Sequence, residues 1–585
     1  MKFLKYLLAT VAGLFIFFLL TGLIGSLIIS VLSAEKEVEI AENSILHLNL
    51  NTTIVERDID DPLADMGVFP GVKGNVGLQD LLDAIKYAAQ DENIAGIYLE
   101  AGYPMAGFAA LEAIRKELNE FRQSGKFLIG YADVYSEGGY YLSSVADEVY
   151  VHDDALIVEL NGLSYNMIFI KDALDRLGIE PHIFKAGDYK SALEPLVRND
   201  MSEANREQTI SFLNSIYDHM LREIAGNRNI SFDRLKVISD SMLVTSIDDA
   251  IAYNLVDDGI YYDEFLDLLR KKLELEDEDE KLPVVDLPKY LKSFTTSKAT
   301  RNKIAVLVAD GEIVMGEGDM NNVGGDKFSK EIRKLRKDET VKAIVLRVNS
   351  PGGGGLPGGQ IYREVLLAAQ EKPVIASFSN VAASAGYLIS VPCDTIVAEP
   401  TSITGSIGVF GFSFSIKEML NEKLGIHSDV VKTGEYSDFL SPLREITSRE
   451  ASIYQNLIDQ SYEQFVTKVA DGRGLTEEEV RGLAEGRVWT GIQAKEINLV
   501  DVLGGLDTAI EIAAAKSGIE DDYRVRYYPD QKNFFEQVIS NLGQDMETRI
   551  LKHQLGDQYR MYKVLNEIKD YKGIQMRLPF EINFE

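Results

Sequence analysis

The chain has 585 residues, of which 45% are hydrophobic, and this length exceeds what a single hydrophobic core usually serves. Its formal net charge of −32 at pH 7 argues against nucleic acid as a partner, because the phosphates would be repelled and no basic stripe offsets the charge. The single cysteine excludes an intramolecular disulfide and a cysteine-based metal site, and the six histidines have no metal-binding spacing. We therefore expect no metal and no cofactor.

The N-terminal segment predicts a membrane anchor. Residues 6–34 carry no charge; Lys2 and Lys5 precede them and Glu35 follows. A helix rises about 1.5 Å per residue, so this one can cross a hydrocarbon core of about 30 Å, whereas a secretory signal has an apolar region of only about 7–15 residues. The charges predict a single-pass helix over residues 1–34 in the inner (cytoplasmic) membrane, with the body on the periplasmic or extracytoplasmic side. The alternative is cleavage of this segment, because LSAEKE (32–37) contains small residues that resemble a cleavage site.

Strand-like and helix-like segments alternate after the predicted anchor. ILHLNL (45–50) predicts a strand, GLQDLLDAIKYAAQD (77–91) predicts a helix, and IAGIYLE (94–100) predicts a buried strand. A second helix ends near Gly125, and KFLIGYAD (126–133) predicts the next strand. This alternation is typical of an α/β fold with a mainly parallel sheet and right-handed crossovers.

The second half of the chain repeats the first. An offset of 247 residues pairs AGDYKSALEPL (186–196) with TGEYSDFLSPL (433–443). The same offset pairs GGYYLSSVADEV (138–149) with AGYLISVPCDTI (385–396). A repeated order of elements at one offset predicts a tandem duplication.

The duplication divides the chain into predicted domains. The first repeat covers residues 35–270 and the second covers residues 301–520. Between them, residues 271–300 contain an acidic run and two prolines, which predict an exposed linker. Residues 521–585 are left as a C-terminal tail.

The two copies differ at positions where catalytic residues are expected. The offset places Lys190 opposite Ser437, and Glu137 opposite Ser384. A serine nucleophile needs a base, and lysine serves as one only when burial lowers its pKa from about 10.4. Taken alone, Lys190 would be an exposed lysine and Ser384 a small buried residue. Their complementarity favours a serine–lysine dyad whose members come from different repeats.

A glycine-rich segment, RVNSPGGGGLPGG (347–359), follows a predicted buried strand. Clustered glycines let backbone N–H groups approach a ligand closely. A phosphate-binding P-loop would need GK followed by Ser or Thr, which is absent. The remaining interpretations are a plain turn and an oxyanion hole for acyl transfer.

Four motifs together resemble the signal peptide peptidase A family in its long, tandem-duplicated bacterial form. They are GDYKSALEP (187–195), NSPGG (349–353), AASAGY (382–387) and TGSIGVFG (404–411). The resemblance implies two ClpP/crotonase-like repeats. It also implies that Ser384 is the nucleophile and Lys190 the general base. Ser406 would position the lysine amine, and the Gly353 N–H would stabilise the oxyanion. Ala385 is a departure, since the family often has glycine there.

The resemblance implies a membrane-anchored serine endopeptidase that degrades cleaved signal peptides and assembles as a homotetramer. Peptides would be its substrates, and its N-terminal helix would contact the membrane. A crotonase-like enzyme acting on acyl-CoA would use a similar oxyanion loop, but a body outside the cytoplasm argues against it. A catalytically inactive peptide-binding scaffold is the third class, and the retained lysine–serine complementarity argues against it.

Overall fold

The computed structural model describes residues 39–57, 75–155, 158–275, 281–294, 299–319, 321–530 and 573–578, with five single positions between 6 and 20. The anchor predicted for residues 1–34 lies outside this described part apart from those five positions. Within the described residues, no helix is both long and apolar enough to cross a membrane.

The first half of the chain builds an α/β unit. Its elements are β1 (Ser44–Asn49), β2 (Ile54–Val55), β3 (Val76–Gly77), α1 (Leu78–Gln90), β4 (Ile94–Glu100), α2 (Phe108–Arg122), β5 (Phe127–Ala132), α3 (Glu137–Ser143), β6 (Glu148–Val151), α4 (Lys171–Leu177), β7 (Glu180–Ala186), α5 (Glu194–Val197), α6 (Glu203–Arg228), α7 (Phe232–Asp240), α8 (Ile247–Ala252), β8 (Asp258–Gly259), α9 (Tyr262–Lys272), β9 (Val284–Asp286) and α10 (Leu287–Tyr290). Six strands form a parallel sheet in the order β8-β6-β5-β4-β1-β9.

The second half repeats this plan. Its elements are β10 (Lys303–Asp310), β11 (Glu312–Val314), β12 (Asn322–Gly324), α11 (Gly325–Lys337), β13 (Val341–Ser350), β14 (Gly352–Gly354), α12 (Gly355–Ala369), β15 (Val374–Ala383), α13 (Ala385–Ser390), β16 (Thr395–Ala398), β17 (Ile403–Gly405), β18 (Val409–Ser415), a π-helical turn (Met419–Lys423), α14 (Ser448–Arg473), α15 (Glu477–Leu483), β19 (Val488–Thr490), α16 (Gly491–Glu496), β20 (Val502–Leu503), α17 (Leu506–Ser517), β21 (Arg524–Tyr528) and β22 (Gln575–Arg577). Its main sheet runs β19-β17-β15-β13-β10-β21, with β16 and β20 alongside β15.

The duplication seen in the sequence is preserved in the elements. Helices α1 and α11 begin and end 247 positions apart, as do α2 and α12 and strands β6 and β16. In α1, the residues Leu78, Leu81, Leu82 and Ile85 are buried, and their spacing of three and four positions makes one apolar face that packs into the first core. Equal helix lengths and equal apolar spacing therefore give the same layer of helix on sheet in both repeats.

A third sheet joins the two repeats, in the order β12-β11-β14-β22-β18-β7. Strand β7 of the first repeat lies antiparallel to β18 of the second, with Ala186 opposite Val409 and Glu180 opposite Ser415. This pairing brings the loop after β7, which carries Lys190, into the second repeat.

Strands from the predicted linker and tail complete the sheets. Val284–Asp286 forms β9 and pairs with β1, while Arg524–Tyr528 forms β21 and pairs with β10. The predicted linker is thus not exposed throughout, because the Val285 side chain is buried against the first sheet. The acidic run at 276–280 lies outside the described residues. An edge strand leaves backbone groups unpaired, so covering β1 and β10 satisfies them.

Candidate active site

Ser384 occupies the junction between β15 and α13. Its backbone has φ +56° and ψ −115°, and positive φ is uncommon for a residue with a side chain. The Ser384 N–H donates to the carbonyl of Gly405 at 2.8 Å, which holds this conformation in place. Gly386 permits the tight junction, because a Cβ there would lie 2.7 Å from the Ser350 carbonyl oxygen. Strained backbone that its surroundings maintain is concentrated at functional sites.

Lys190 reaches the second repeat on the loop that follows β7. The loop packs against residues 485–488, and the Tyr189 N–H donates to the Glu485 carbonyl at 2.9 Å. Glycines make this close approach possible: a Cβ on Gly187 would lie 2.3 Å from the Glu485 carbonyl carbon, and one on Gly486 would lie 2.7 Å from the Lys190 Cβ. Both glycines have positive φ, +108° and +81°.

The Lys190 amine lies among two hydroxyls and one carbonyl. Its Nζ is 2.9 Å from Ser384 Oγ, 2.9 Å from Ser406 Oγ and 3.0 Å from the Ser406 carbonyl oxygen. The Ser406 hydroxyl donates in turn to the Gly486 carbonyl at 3.2 Å. Three of the four site residues proposed from the sequence therefore come together around one nitrogen.

Burial changes the acidity of this amine. Lys190 is 2% exposed, and both serines are fully buried. Removal from water disfavours the ammonium form, so burial holds the pKa of Lys190 well below its usual value of 10.5. A lysine in this environment can be neutral at a pH where an exposed lysine is charged.

Gly353 lies on β14 directly after Gly352, where an added Cβ would lie 3.0 Å from the nitrogen of Ala385, the residue that follows Ser384. Its φ is +149°, and a Cβ would lie 2.1 Å from the carbonyl oxygen of Ile313 on β11, so no larger residue fits without moving the strand. The neighbouring Gly352 N–H donates to Ser350 Oγ at 3.2 Å, which anchors the start of the strand. A rigid glycine strand with backbone N–H groups beside a serine can bind a peptide carbonyl.

The methyl group of Ala385, the departure from the family pattern, points at helix α12. A Cβ built on Gly358 would lie 3.2 Å from the Ala385 Cβ, and Ala385 is fully buried. The absence of a side chain at Gly358 therefore provides the space that the extra methyl needs.

The positions equivalent to Ser384 and Lys190, each in the other repeat, hold no such group. The Glu137 carboxylate, opposite Ser384, accepts from the Gly162 N–H at 3.1 and 3.2 Å. Ser437, opposite Lys190, is exposed and donates to the carbonyl of Gly434 within its own turn. Serine and lysine therefore meet at one place among the described residues of this chain.

Sequence reasoning missed the groups that hold the lysine loop. Gln208 on α6 is fully buried; its amide donates to the Tyr189 carbonyl at 3.0 Å and to Ser191 Oγ at 3.1 Å, and its oxygen accepts from the Val488 N–H at 3.3 Å. The Gly486 carbonyl, which accepts the Ser406 proton, was also missed. Neither belongs to a motif with distinctive spacing, so no sequence signal would have revealed them.

A buried serine hydroxyl beside a buried lysine amine and a glycine strand is an arrangement that fits the class of the serine peptidases. Comparison with known proteins agrees with this class. The sequence model of Peptidase family S49 matches residues 120–276 and 367–520. The chain belongs to peptidase family S49, with one matched segment in each repeat.

Relatives support the assignment over most of the chain. "Protease 4" of Salmonella typhi is 36% identical over 80% of this chain and 76% of its own length. "Serine protease SPPA, chloroplastic" of Arabidopsis thaliana is 31% identical over 86% of this chain and 74% of its own length. Among solved structures, a ClpP1 mutant from Listeria monocytogenes matches 36% of this chain and 95% of its own at 14% identity, and its TM-score of 0.24 is too low to support an argument.

Proposed function

We propose that this protein is a membrane-anchored serine endopeptidase that degrades cleaved signal peptides with a dyad of Ser384 and Lys190. The observation that carries the proposal is the 2.9 Å separation of Lys190 Nζ and Ser384 Oγ, both of which belong to buried side chains. A positioned base within hydrogen-bond reach of a hydroxyl is what nucleophilic catalysis by serine requires.

The hydrogen bonds around Lys190 support its role as the base. A neutral amine has two N–H groups and one lone pair. The Ser406 carbonyl can only accept, and the Ser406 hydroxyl donates its proton to Gly486, so it accepts from the amine. Both N–H groups are then used, and the lone pair faces the hydroxyl of Ser384. Ser406 thus orients the amine for proton transfer.

Hydrolysis proceeds in two steps. The lone pair of Lys190 accepts the Ser384 proton as Oγ bonds to the peptide carbonyl carbon; the C–N bond breaks and the proton passes to the leaving amine. Water then gives a proton to Lys190 and attacks the ester, which releases a carboxylate product and restores the Ser384 hydroxyl. The N–H groups of Gly353 and Ala385 stabilise the oxyanion in both steps.

The substrate class and location rest on the family and on the N-terminal sequence. A relative from Enterococcus faecium, 30% identical over 42% of this chain, is named "Putative signal peptide peptidase SppA". The uncharged run at residues 6–34 would tether the site on the extracytoplasmic side of the inner membrane, close to the bilayer in which cleaved signal peptides are left. Carbonate extraction and protease accessibility of the full chain in cells test this placement; full release by carbonate would contradict the anchor.

We also propose that the protein assembles as a homotetramer. The segments equivalent to β7 and β18 in the opposite repeats support this proposal. The offset of 247 residues relates β7 to residues 427–433 and β18 to residues 162–168. Neither segment forms a strand, and 427–433 is exposed, with Val431 98% accessible. Chains joined head to tail can pair these segments and close a ring. Light scattering in detergent tests the tetramer; a monomer at micromolar concentration would contradict it.

The decisive experiment compares site variants with matched controls on the full chain. Ser384→Ala and Lys190→Met should each abolish hydrolysis of a synthetic signal peptide, while Ser437→Ala and Lys185→Met, which change the exposed counterpart serine and an exposed lysine on β7, should retain it. Circular dichroism checks that each variant is folded. Full activity of either site variant would contradict the dyad. Thioester hydrolysis of an acyl-CoA without peptide hydrolysis would contradict the function.

A further inference from the structure

The Arg487 side chain lies over two aromatic rings that belong to different repeats. The centre of its guanidinium is 4.9 Å from the centroid of the Tyr189 ring and 4.6 Å from that of the Trp489 ring. Tyr189 directly precedes Lys190 on the loop after β7, and Trp489 lies on β19 of the second repeat. A planar guanidinium stacks on aromatic faces, a geometry that the compact ammonium of lysine does not reproduce. We call Tyr189, Arg487 and Trp489 the aromatic clamp.

The Tyr189 side of the aromatic clamp holds the loop of the catalytic lysine. Arg487 Nη1 donates to the Tyr189 hydroxyl at 3.3 Å and forms an ion pair with Glu207 on α6 at 2.9 Å. Both the ring and the hydroxyl of Tyr189 therefore contact the same guanidinium. Because Tyr189 is joined to Lys190 by one peptide bond, holding this ring limits the movement of the lysine backbone.

The Trp489 side of the aromatic clamp packs against the strand that holds the nucleophile. Trp489 pairs antiparallel with Thr404 on β17. A Cβ built on Gly405 would lie 2.8 Å from Trp489 Cδ1, so the edge of the indole touches the backbone at this position. The Gly405 carbonyl accepts the Ser384 N–H at 2.8 Å. The indole thus lies next to the residue that fixes the backbone of Ser384.

The backbone of Arg487 belongs to the same frame. Its carbonyl accepts the Ser406 N–H at 2.7 Å. Ser406 has φ +50°, which is uncommon for a residue with a side chain, and this hydrogen bond helps to hold it there. Arg487 therefore contacts the loop of Lys190 through its side chain and the serine that orients the amine through its backbone.

The first repeat lacks the aromatic clamp at its equivalent positions. Helix α16 begins 244 positions after α8, and both helices have six residues and a hydroxyl side chain as N-cap. This alignment places Leu243 opposite Arg487 and Thr245 opposite Trp489. The start of the helix forms in both repeats, so it does not require the two clamp side chains. Their presence only beside the lysine–serine contact favours a role in the site.

We propose that Arg487 is a positioning residue for the catalytic lysine, and that its stacking on Tyr189 and Trp489 keeps the Lys190 amine beside Ser384 and away from water. This inference rests on the proposed peptidase function and adds a residue that acts through Lys190. Without the guanidinium the loop gains freedom, and proton transfer needs the amine within hydrogen-bond reach of the hydroxyl. Water that reaches the amine also stabilises its charged form, which cannot accept the Ser384 proton.

Two variants of Arg487 and one matched control test the proposal on the full chain in detergent, with a quenched fluorescent peptide as substrate. Arg487→Ala loses the contacts with both rings, and we expect kcat to fall about 10-fold with little change in KM. Arg487→Lys keeps a charge for Glu207 but not the planar stack, so it should lose nearly as much. Arg481→Ala, on α15, loses exposed ion pairs with Glu463 and Glu477 and should retain its activity. Full activity of Arg487→Lys would overturn the proposal, since charge alone would then suffice.

Two further measurements distinguish positioning from a general loss of stability. The rise of kcat/KM with pH follows the pKa of the Lys190 amine, and its midpoint should move to higher pH in Arg487→Ala because water reaches the amine. Trp489 is the single tryptophan of the chain, so its emission reports on the aromatic clamp alone. That emission should shift to longer wavelength when the indole loses its cover. A lower kcat with an unchanged midpoint would overturn the proposal.

The wild-type chain separates this inference from the proposed function. A wild type that does not hydrolyse the peptide contradicts the proposed function as well. An active wild type together with an equally active Arg487→Ala overturns the inference alone. Circular dichroism checks that each variant is folded, and Arg487→Lys carries the test if Arg487→Ala does not fold.

Discussion

Lys190 and Ser384 are 194 positions apart in the chain, yet the lysine Nζ lies 2.9 Å from the serine Oγ. The contact follows from the pairing of β7 with β18, which carries a loop of the first repeat into the second. Each repeat lacks one member of the pair: Glu137 stands at the position equivalent to Ser384, and Ser437 at the position equivalent to Lys190. The duplicated halves therefore complement each other within one chain.

The activity should depend on the protonation state of Lys190. Only the neutral amine can accept the Ser384 proton, and burial holds the pKa of Lys190 well below 10.5. We expect kcat/KM to rise with pH as the amine loses its proton and to level off above the lowered pKa. A pH–rate profile with a saturating peptide and with a dilute one measures it. A profile that rises only near pH 10.5 would contradict the lowered pKa.

The free energy of unfolding provides a second test of the lowered pKa of Lys190, and this test needs no substrate. Between the lowered pKa and 10.5 the unfolded lysine is protonated and the folded one is neutral, so the unfolded state binds more protons and the free energy of unfolding rises with pH in this window. Lys190→Met should remove that contribution and raise the melting temperature at neutral pH. An unchanged pH dependence of melting in this variant would show that Lys190 is charged in the folded protein.

Ser406→Ala should slow the enzyme without unfolding it. The change removes a hydroxyl that accepts from Lys190 and donates to Gly486, and loss of one such buried hydrogen bond corresponds to a decrease of about 10- to 100-fold in kcat/KM. Because the amine loses a partner that orients it, kcat should fall more than KM changes. Ser437→Ala, on the exposed counterpart loop, is the control and should behave as the wild type.

Gly353→Ala should lower kcat, because it displaces the backbone N–H that we expect to stabilise the oxyanion. Its φ of +149° and the 2.1 Å approach of a Cβ to the Ile313 oxygen force β14 to move, and loss of an oxyanion donor typically lowers kcat by about 10²- to 10³-fold. Gly226→Ala is the matched control, because its helical position is exposed with no atom within 4 Å of the added methyl. That control should keep its activity; equal loss in both variants would contradict the role of Gly353.

Gln208→Ala should weaken the docking of the lysine loop. It removes hydrogen bonds to Tyr189, Ser191 and Val488 from a fully buried side chain, and we expect kcat/KM to fall roughly 10-fold. The neighbouring Glu207→Ala loses an exposed ion pair with Arg487 and an exposed hydrogen bond from the Tyr189 hydroxyl, and it should change activity less than about threefold. Similar values for the two variants would mean that the buried amide does not position the loop.

The repeated pattern in the sequence was sufficient to predict the α/β fold of both repeats and to indicate the family. Helices and strands recur at a constant offset because each needs the same apolar spacing to cover its sheet, as in α1 and α11. The boundaries were less predictable: β9 lies in the predicted linker, and β21 and β22 lie in the predicted tail. These strands are short, and their pairing depends on sheet edges that local spacing does not reveal.

The sequence by itself determined which residues are candidates for the site: a serine among small residues, a lysine that its counterpart loop lacks, and a glycine-rich segment. It determined them because residue type and spacing are local properties of the chain. Only the tertiary structure decided that Lys190 meets Ser384, that the Gly486 carbonyl completes the arrangement, and that β22 lies along Gly353. Those contacts join segments far apart in the chain, and the lowered pKa of Lys190 depends on burial that exists only after the repeats have packed together.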